Sequence, residues 1–310
     1  MSLHAIKQPS AHAWPAAALA ILAAAGCTTA ASADRPDPSR SAPAARELTH
    51  TEQILVQRAE ALLVKECMAG EGFRYWVGPL PTVDDLKGGG YVVTDVDWAK
   101  RQGYGGRLSA RLPRLQREDP NHAYTNGLSH KEALRYDEVL NGGPSAGMLT
   151  VELPGGGTIQ TPRRSCQTEA KQRLYGDFET WFKAEKIATN LTDLYVPDLL
   201  DDKRFTNAVG EWAACMRAAG HEYAEPPAIR AELPALTEGL SSAEAHAVEV
   251  RLAVAEARCA TRTPLAATAR KLDEEYRGKR LGAYREDIAT YRRMRLTALA
   301  RAEDIAGGTA

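Results

Sequence analysis

Cysteines are the residues of this 310-residue chain whose type and spacing specify chemistry most directly, and that chemistry is cross-linking. Cys67-Met68, Gly72 and Tyr75 recur as Cys215-Met216, Gly220 and Tyr223, so the form C-M-x-x-x-G-x-x-Y appears twice at one constant offset, the mark of a duplicated unit. Each copy owns a later cysteine, Cys166 and Cys259. Metal binding and thiol exchange favour close C-x-x-C spacing, which these four lack, so disulfides in an oxidising compartment are the expected use. The in-order pairing Cys67–Cys166 and Cys215–Cys259 is one of the three connectivities that four cysteines permit.

Other motifs with chemical potential give way to plainer readings. Gly143-Pro144-Ser145-Ala146-Gly147 fits G-x-S-x-G, but a nucleophile elbow needs a strand before it and a helix after it, and here the order of propensities is reversed. The histidines beyond the amino-terminal region, His50, His122, His130, His221 and His246, show no H-E-x-x-H spacing. The glycine runs at 88–90 and 155–157 lack the G-K-[S/T] of a phosphate loop. No catalytic residue, no metal ligand and no cofactor is therefore assigned. A net charge of −1 with 25% charged residues provides no basic field, which argues against a nucleic-acid partner.

The fifth cysteine bears on location. Lys7 precedes an apolar run, Trp14 to Ala25, of about a dozen residues, the length of a signal-peptide core and too short for a bilayer span. It ends at Ala24-Ala25-Gly26-Cys27, similar to a lipobox, with Ala24 where such boxes usually carry Leu. Residues 1–26 read as a lipoprotein signal peptide and Cys27 as the lipidated first residue, which leaves an even four cysteines for the exported domain. Secretory cleavage after Ala23-Ala24-Ala25 is the alternative. Residues 27–46, rich in Ala, Ser, Pro and Thr, form a flexible tether with a reach of about 25 Å.

The elements that must position the cysteines are mostly helices. Thr49-His50-Thr51-Glu52 is a capping box, followed by Leu55, Ala59, Leu62, Leu63 and Cys67 at helical spacing. A second helical face runs from Cys166 through Ala170, Leu174, Phe178, Trp181 and Phe182. The first helix ends just after Cys67 and the second begins at Cys166, so an antiparallel pair brings these sulfurs together. Phe205 to Ala219 carries Cys215, and a box at Ser241-Ser242-Ala243-Glu244 opens the helix of Cys259. Helical spacing then continues from Leu265 towards residue 302. Between the first two helices, residues 76–164 read as an irregular insert with turns at 88–90 and 103–106, a short helix opened by the box Ser129 to Glu132, and a hairpin across Pro154 to Gly157.

The expected fold is mainly α: a disulfide-stapled helical domain of two similar half-units, 47–197 and 198–303, with a small irregular β-hairpin-containing insert in the first and a disordered tail at 304–310. Cys67-Met68 with Gly72 and Tyr75, Gly103-Tyr104-Gly105, Ser165-Cys166-Gln167-Thr168-Glu169-Ala170 with Leu174-Tyr175-Gly176-Asp177, and Cys215-Met216 with Gly220 together resemble a group of uncharacterised exported lipoproteins of high-GC Gram-positive bacteria. The resemblance implies a compartment and an architecture, and transfers no catalytic residue.

The expected function is a non-catalytic binding or accessory lipoprotein at the outer face of the cytoplasmic membrane, partnered by the membrane through its lipid and by an envelope protein or wall component. An exported hydrolase and a self-associating structural protein are the alternatives. Long loops on a rigid frame are common binding surfaces, and Tyr91, Trp98, Tyr104 and Tyr124 of the insert are the candidate contacts, unless these rings fill the insert's own core.

Overall fold

Capping boxes open three of the helices, each with a hydroxyl accepting from the third helical N–H and a glutamate reaching back to the cap: Thr49 with Glu52, Ser129 with Glu132, and Ser241 with Glu244. The computed structural model describes residues 45–307, so Cys27, the signal-like segment and nearly all of the tether lie outside the described residues. In chain order the helices are α1 (His50–Gly70), α2 (Val96–Gln102), α3 (Gly106–Arg117), α4 (Pro120–Asn126), α5 (His130–Asn141), α6 (Cys166–Tyr175), α7 (Phe178–Ala188), α8 (Val196–Leu200), α9 (Lys203–Ala218), α10 (Pro226–Leu236), α11 (Ser242–Arg262), α12 (Leu265–Arg280) and α13 (Arg285–Gly307). Between α5 and α6 lie the antiparallel strands β1 (Met148–Glu152) and β2 (Thr158–Pro162), with Val151 opposite Ile159.

Both disulfides take the in-order pairing, with Cα separations of 5.5 Å for Cys67–Cys166 and 5.7 Å for Cys215–Cys259. The duplicated motif is a duplicated helix ending. In the first copy Phe73 N–H donates to Met68 O at 2.9 Å and Gly72 N–H to Ala69 O at 3.0 Å; in the second His221 N–H donates to Met216 O at 2.9 Å and Gly220 N–H to Arg217 O at 3.0 Å. This double bond pattern closes a helix only if the residue after the cap is left-handed, and Gly72 and Gly220 have φ of 82° and 83°. Both methionines are fully buried under the turn. The motif therefore fixes where each helix stops, which holds its cysteine one turn from the end.

The core falls into three clusters. Val56, Leu63 and Met68 of α1, Leu174 of α6 and Ala298, Leu299 and Ala302 of α13 form the first. Phe178 and Phe182 of α7, Trp212 and Met216 of α9, Leu252 of α11, and Leu265 and Leu272, at the start and within α12, form the second. Trp98 and Ala99 of α2 pack on Ala253 and Ala257 of α11 as the third. The C-terminal helix α13 thus crosses back onto α1, α6 and α7, while the insert's α2 seats on α11. Each cysteine-bearing half completes its core with a helix from the other.

Three local departures from the sequence reading have identifiable causes. The face from Cys166 to Phe182 is two helices, because Gly176 takes φ 97° and Asp177 caps a new start, accepting from Thr180 N–H at 2.8 Å. The run beyond Leu265 breaks after Leu281, and α13 then continues to Gly307 with Ile305 packed on the first cluster, taking in the start of the segment read as a tail. The insert contains four helices. Asp95 caps α2 by accepting from Trp98 N–H at 2.8 Å, and Asp119 followed by Pro120 opens α4, short-range start signals that the glycines around them obscure.

Candidate functional site

The insert's aromatic residues are mostly built into its attachment. Trp98 is only 1% exposed, and its indole N–H donates to Asp84 O at 3.0 Å. Tyr124 packs edge-on against Trp76 and Tyr136, with ring centroids 5.6 and 6.0 Å away. The Tyr91 ring lies against Phe205 at 5.1 Å and its hydroxyl donates to Glu225 at 3.2 Å; burial first, then the Glu225 charge, pushes that hydroxyl up to about 12. Tyr104 donates to the carboxylate of Glu256 at 2.6 Å. These four side chains are spread over separate contacts and do not converge on a cavity.

Glu256 is the knot of that attachment. On the buried stripe of α11 and 0% exposed, it accepts from Val93 N–H at 2.7 Å, from the Tyr104 hydroxyl and from Arg230 at 3.0 Å. Arg230 also lies 5.3 Å from the centre of the Tyr104 ring and donates to Tyr91 O at 3.1 Å. Burial pushes the Glu256 carboxyl above its ordinary range, against the opposing pull of the Tyr104 hydroxyl and the Arg230 charge. With three donors already on its two oxygens, this carboxylate is structural. About two turns earlier on α11, Glu249 accepts from Tyr104 N–H and Gly106 N–H at 3.2 and 3.1 Å, so a second carboxylate holds the start of α3.

Groups that do converge lie in a cavity of about 520 Å³ between α1, α6, α7 and α13. Its aromatic wall is a stack: Tyr175 and Trp181 are parallel within 3° at 3.6 Å, Tyr291 lies 5.4 Å from Trp181, and Arg295 sits 5.2 Å from the Tyr291 ring centre. Glu60 faces them, accepting from Lys171 and from the Tyr175 hydroxyl at 3.5 Å. Glu185 adds a second carboxylate and Arg295 a second cation. Burial, reinforced by the Glu60 charge, raises the Tyr175 hydroxyl well above its ordinary value, and burial raises that of Tyr291, so both rings present neutral hydroxyls. The indole N–H of Trp181 is buried and has no hydrogen-bond partner among the described residues. A buried donor left unpaired costs about 1–3 kcal/mol.

Sequence reasoning passed over this cavity because it placed Trp181 on the apolar face of a helix and gave the charges flanking that face no role. The available signal was a set of charges beside that stripe, Glu60, Lys171, Glu185 and Arg295, on helices that α13 brings together only in three dimensions. Ser145 lies in a one-turn helix, Pro144–Ala146, and its hydroxyl donates to Glu138 at 2.9 Å on an exposed surface. Among the described residues no group of three or more His, Cys, Asp or Glu is placed to hold a metal ion, and no helix is long and apolar enough to cross a membrane. Protein-family models, curated proteins and solved structures compared with the chain give no match.

Proposed function

We propose that the chain is an exported, non-catalytic binding protein of the cell envelope, anchored through Cys27 at the outer face of the membrane, whose cavity between α1, α6, α7 and α13 takes a small zwitterion such as a short peptide. The convergence of two carboxylates, two cations and a ring stack on one cavity carries this reading. A ligand carboxylate is matched by Lys171 and Arg295, an ammonium by Glu60 and Glu185, and an apolar side chain by the aromatic wall. The two disulfides favour an oxidising compartment, which agrees with the lipobox-like segment.

The binding arm is tested by melting the protein with a panel of amino acids, dipeptides and tripeptides. At least one peptide is expected to raise the melting temperature, and Glu185→Gln, a shape-conserving change at a half-buried position, to abolish that rise while leaving the unliganded midpoint nearly unchanged. A panel without any shift, or a shift that survives Glu185→Gln, removes the assignment. The anchor is tested separately. Cys27→Ser is expected to move the protein from the membrane fraction to the medium, because the usual modification supplies at least two acyl chains and one alone binds only marginally. Incorporation of labelled fatty acid into that variant at the wild-type level contradicts lipidation.

The long C-terminal helices offer self-association little purchase. Among the described residues the large exposed apolar side chains are Val83, Leu112, Leu134, Met148, Leu236 and Leu240, none of them on α12 or α13.

A further inference from the structure

A groove of about 870 Å³ runs beside the second disulfide, between α9 and α11 with the end of α2. Its rim is cationic: Arg251, Arg258 and Arg262 stand seven and four residues apart on α11, which at 100° per residue puts them on one face over about 16 Å, with Lys100 and His221 completing the rim. No acidic residue lines it, and the three arginines are exposed with no ion-pair partner among the described residues. Some exposed arginines of this chain are neutralised, as Arg101 is by Asp84, Arg204 by Asp202 and Glu275, and Arg280 by Asp198, and others, such as Arg58, Arg74 and Arg270, stand without an ion pair among the described residues; the groove differs in aligning three unpaired ones on a single face. The floor beneath the row is apolar, formed by Val250, Val254, Ala255 and the Cys215–Cys259 bridge.

A second observation comes from α3, which packs on both α2 and α11. It carries Arg107, Arg111, Arg114 and Arg117, no acidic residue and no buried residue, and it leaves Leu112 56% exposed. Arg111 is paired with Asp85 at 2.7 Å and Arg114 lies 3.9 Å from Glu118, so Arg107 and Arg117 are the cations of this helix left open to an anionic surface, beside the uncovered Leu112.

We infer that this groove docks the phosphate headgroup of an anionic phospholipid, the arginines meeting the oxyanion and the apolar floor meeting the glycerol and first methylenes. A soluble polyanion would engage the arginines alone; an amphiphile uses both the rim and the floor. The site is distinct from the peptide cavity and stands whether or not that cavity is occupied.

The test uses the full chain, in cosedimentation with vesicles of phosphatidylcholine containing phosphatidylglycerol and with vesicles of phosphatidylcholine alone, the latter measuring whatever the amino-terminal segment contributes. The variant Arg251→Gln, Arg258→Gln, Arg262→Gln is compared with Lys65→Gln, Lys183→Gln, Arg270→Gln, which removes the same charge from exposed positions outside the groove. At roughly fivefold per charge near an anionic surface, the groove variant is expected to lose about a hundredfold in affinity for the anionic vesicles, and the control variant no more than about twofold. Unchanged melting temperatures confirm that both variants are folded. Equal losses in the two variants, or equal binding of the wild type to both kinds of vesicle, overturn the inference. So does complete release from anionic vesicles by millimolar inorganic phosphate at constant ionic strength, which assigns the arginines to a soluble oxyanion.

Discussion

Replacing Cys67 and Cys166 together by serine is expected to lower the unfolding free energy by about 4–5 kcal/mol, and Cys215 with Cys259 by about 4 kcal/mol. The difference follows from loop length: the first bridge spans 99 residues and the second 44, and the entropy removed from the unfolded chain grows only with the logarithm of that span. At about 2–4 °C per kcal/mol for a domain of this size, the first loss corresponds to a midpoint lowered by about 10–15 °C. The first bridge encloses α2 to α5 and the hairpin, so its loss also frees the largest segment. Chemical unfolding of each pair variant measures the effect, and non-reducing peptide mapping checks the pairing. A loss below about 1 kcal/mol at the first bridge would show that native contacts already constrain that loop in the unfolded chain.

A comparable effect is expected at Glu256, and two substitutions separate its causes. Glu256→Ala leaves Val93 N–H, the Tyr104 hydroxyl and Arg230 without their acceptor, and is expected to cost about 3–5 kcal/mol, as breaking a buried ion pair does. Glu256→Gln keeps the shape. Its carbonyl retains Val93 and Arg230, its amide donates to a rotated Tyr104 hydroxyl, and Arg230, 28% exposed, is partly solvated, so the cost is expected to stay below about 2 kcal/mol. The two variants also differ from the wild type in pH dependence. The folded carboxyl titrates above the unfolded value of about 4.3, so the native state holds its proton more tightly; this contribution is fully present below that value and is lost as pH rises through the folded one. The stability gap between Glu256→Gln and the wild type is therefore expected to shift in favour of the Gln variant as pH rises from 4 towards neutrality, measured by urea unfolding. Equal costs for Gln and Ala would show that the charge, rather than the hydrogen-bond set, holds the insert.

The groove and the cavity illustrate why site chemistry was less legible than architecture. Arg251, Arg258 and Arg262 could be read as one helical face, but whether that face meets solvent, a carboxylate or a neighbouring helix depends on α9 and α2, which are distant in sequence. Tyr104 invited a surface role by its place between glycines; the tertiary fold instead turned it onto Glu256, 152 residues away. A glutamate on the buried stripe of α11 was the one local sign that some partner had to come to it, since a buried carboxylate is held only by donors.

What the sequence determined by itself was local and covalent. Capping boxes at Thr49, Ser129 and Ser241, the glycines Gly72 and Gly220 that end two helices, and the alternation of β1 and β2 act over a few residues, where backbone geometry and short hydrogen bonds dominate. The Cys67–Cys166 pairing was legible as well, because an antiparallel pair places the end of α1 beside the start of α6, whereas Cys215 and Cys259 both lie near the C-terminal ends of their helices and meet through tertiary packing. Only the tertiary structure decided that α13 closes the first half and α2 the second, and so which charges face each other across a cavity. Apolar stripes on α1, α6, α7 and α13 say that each helix must be covered, but burial is non-directional and does not name the partner; that choice is made by shape, over separations of up to 248 residues, as between Glu47 and Arg295.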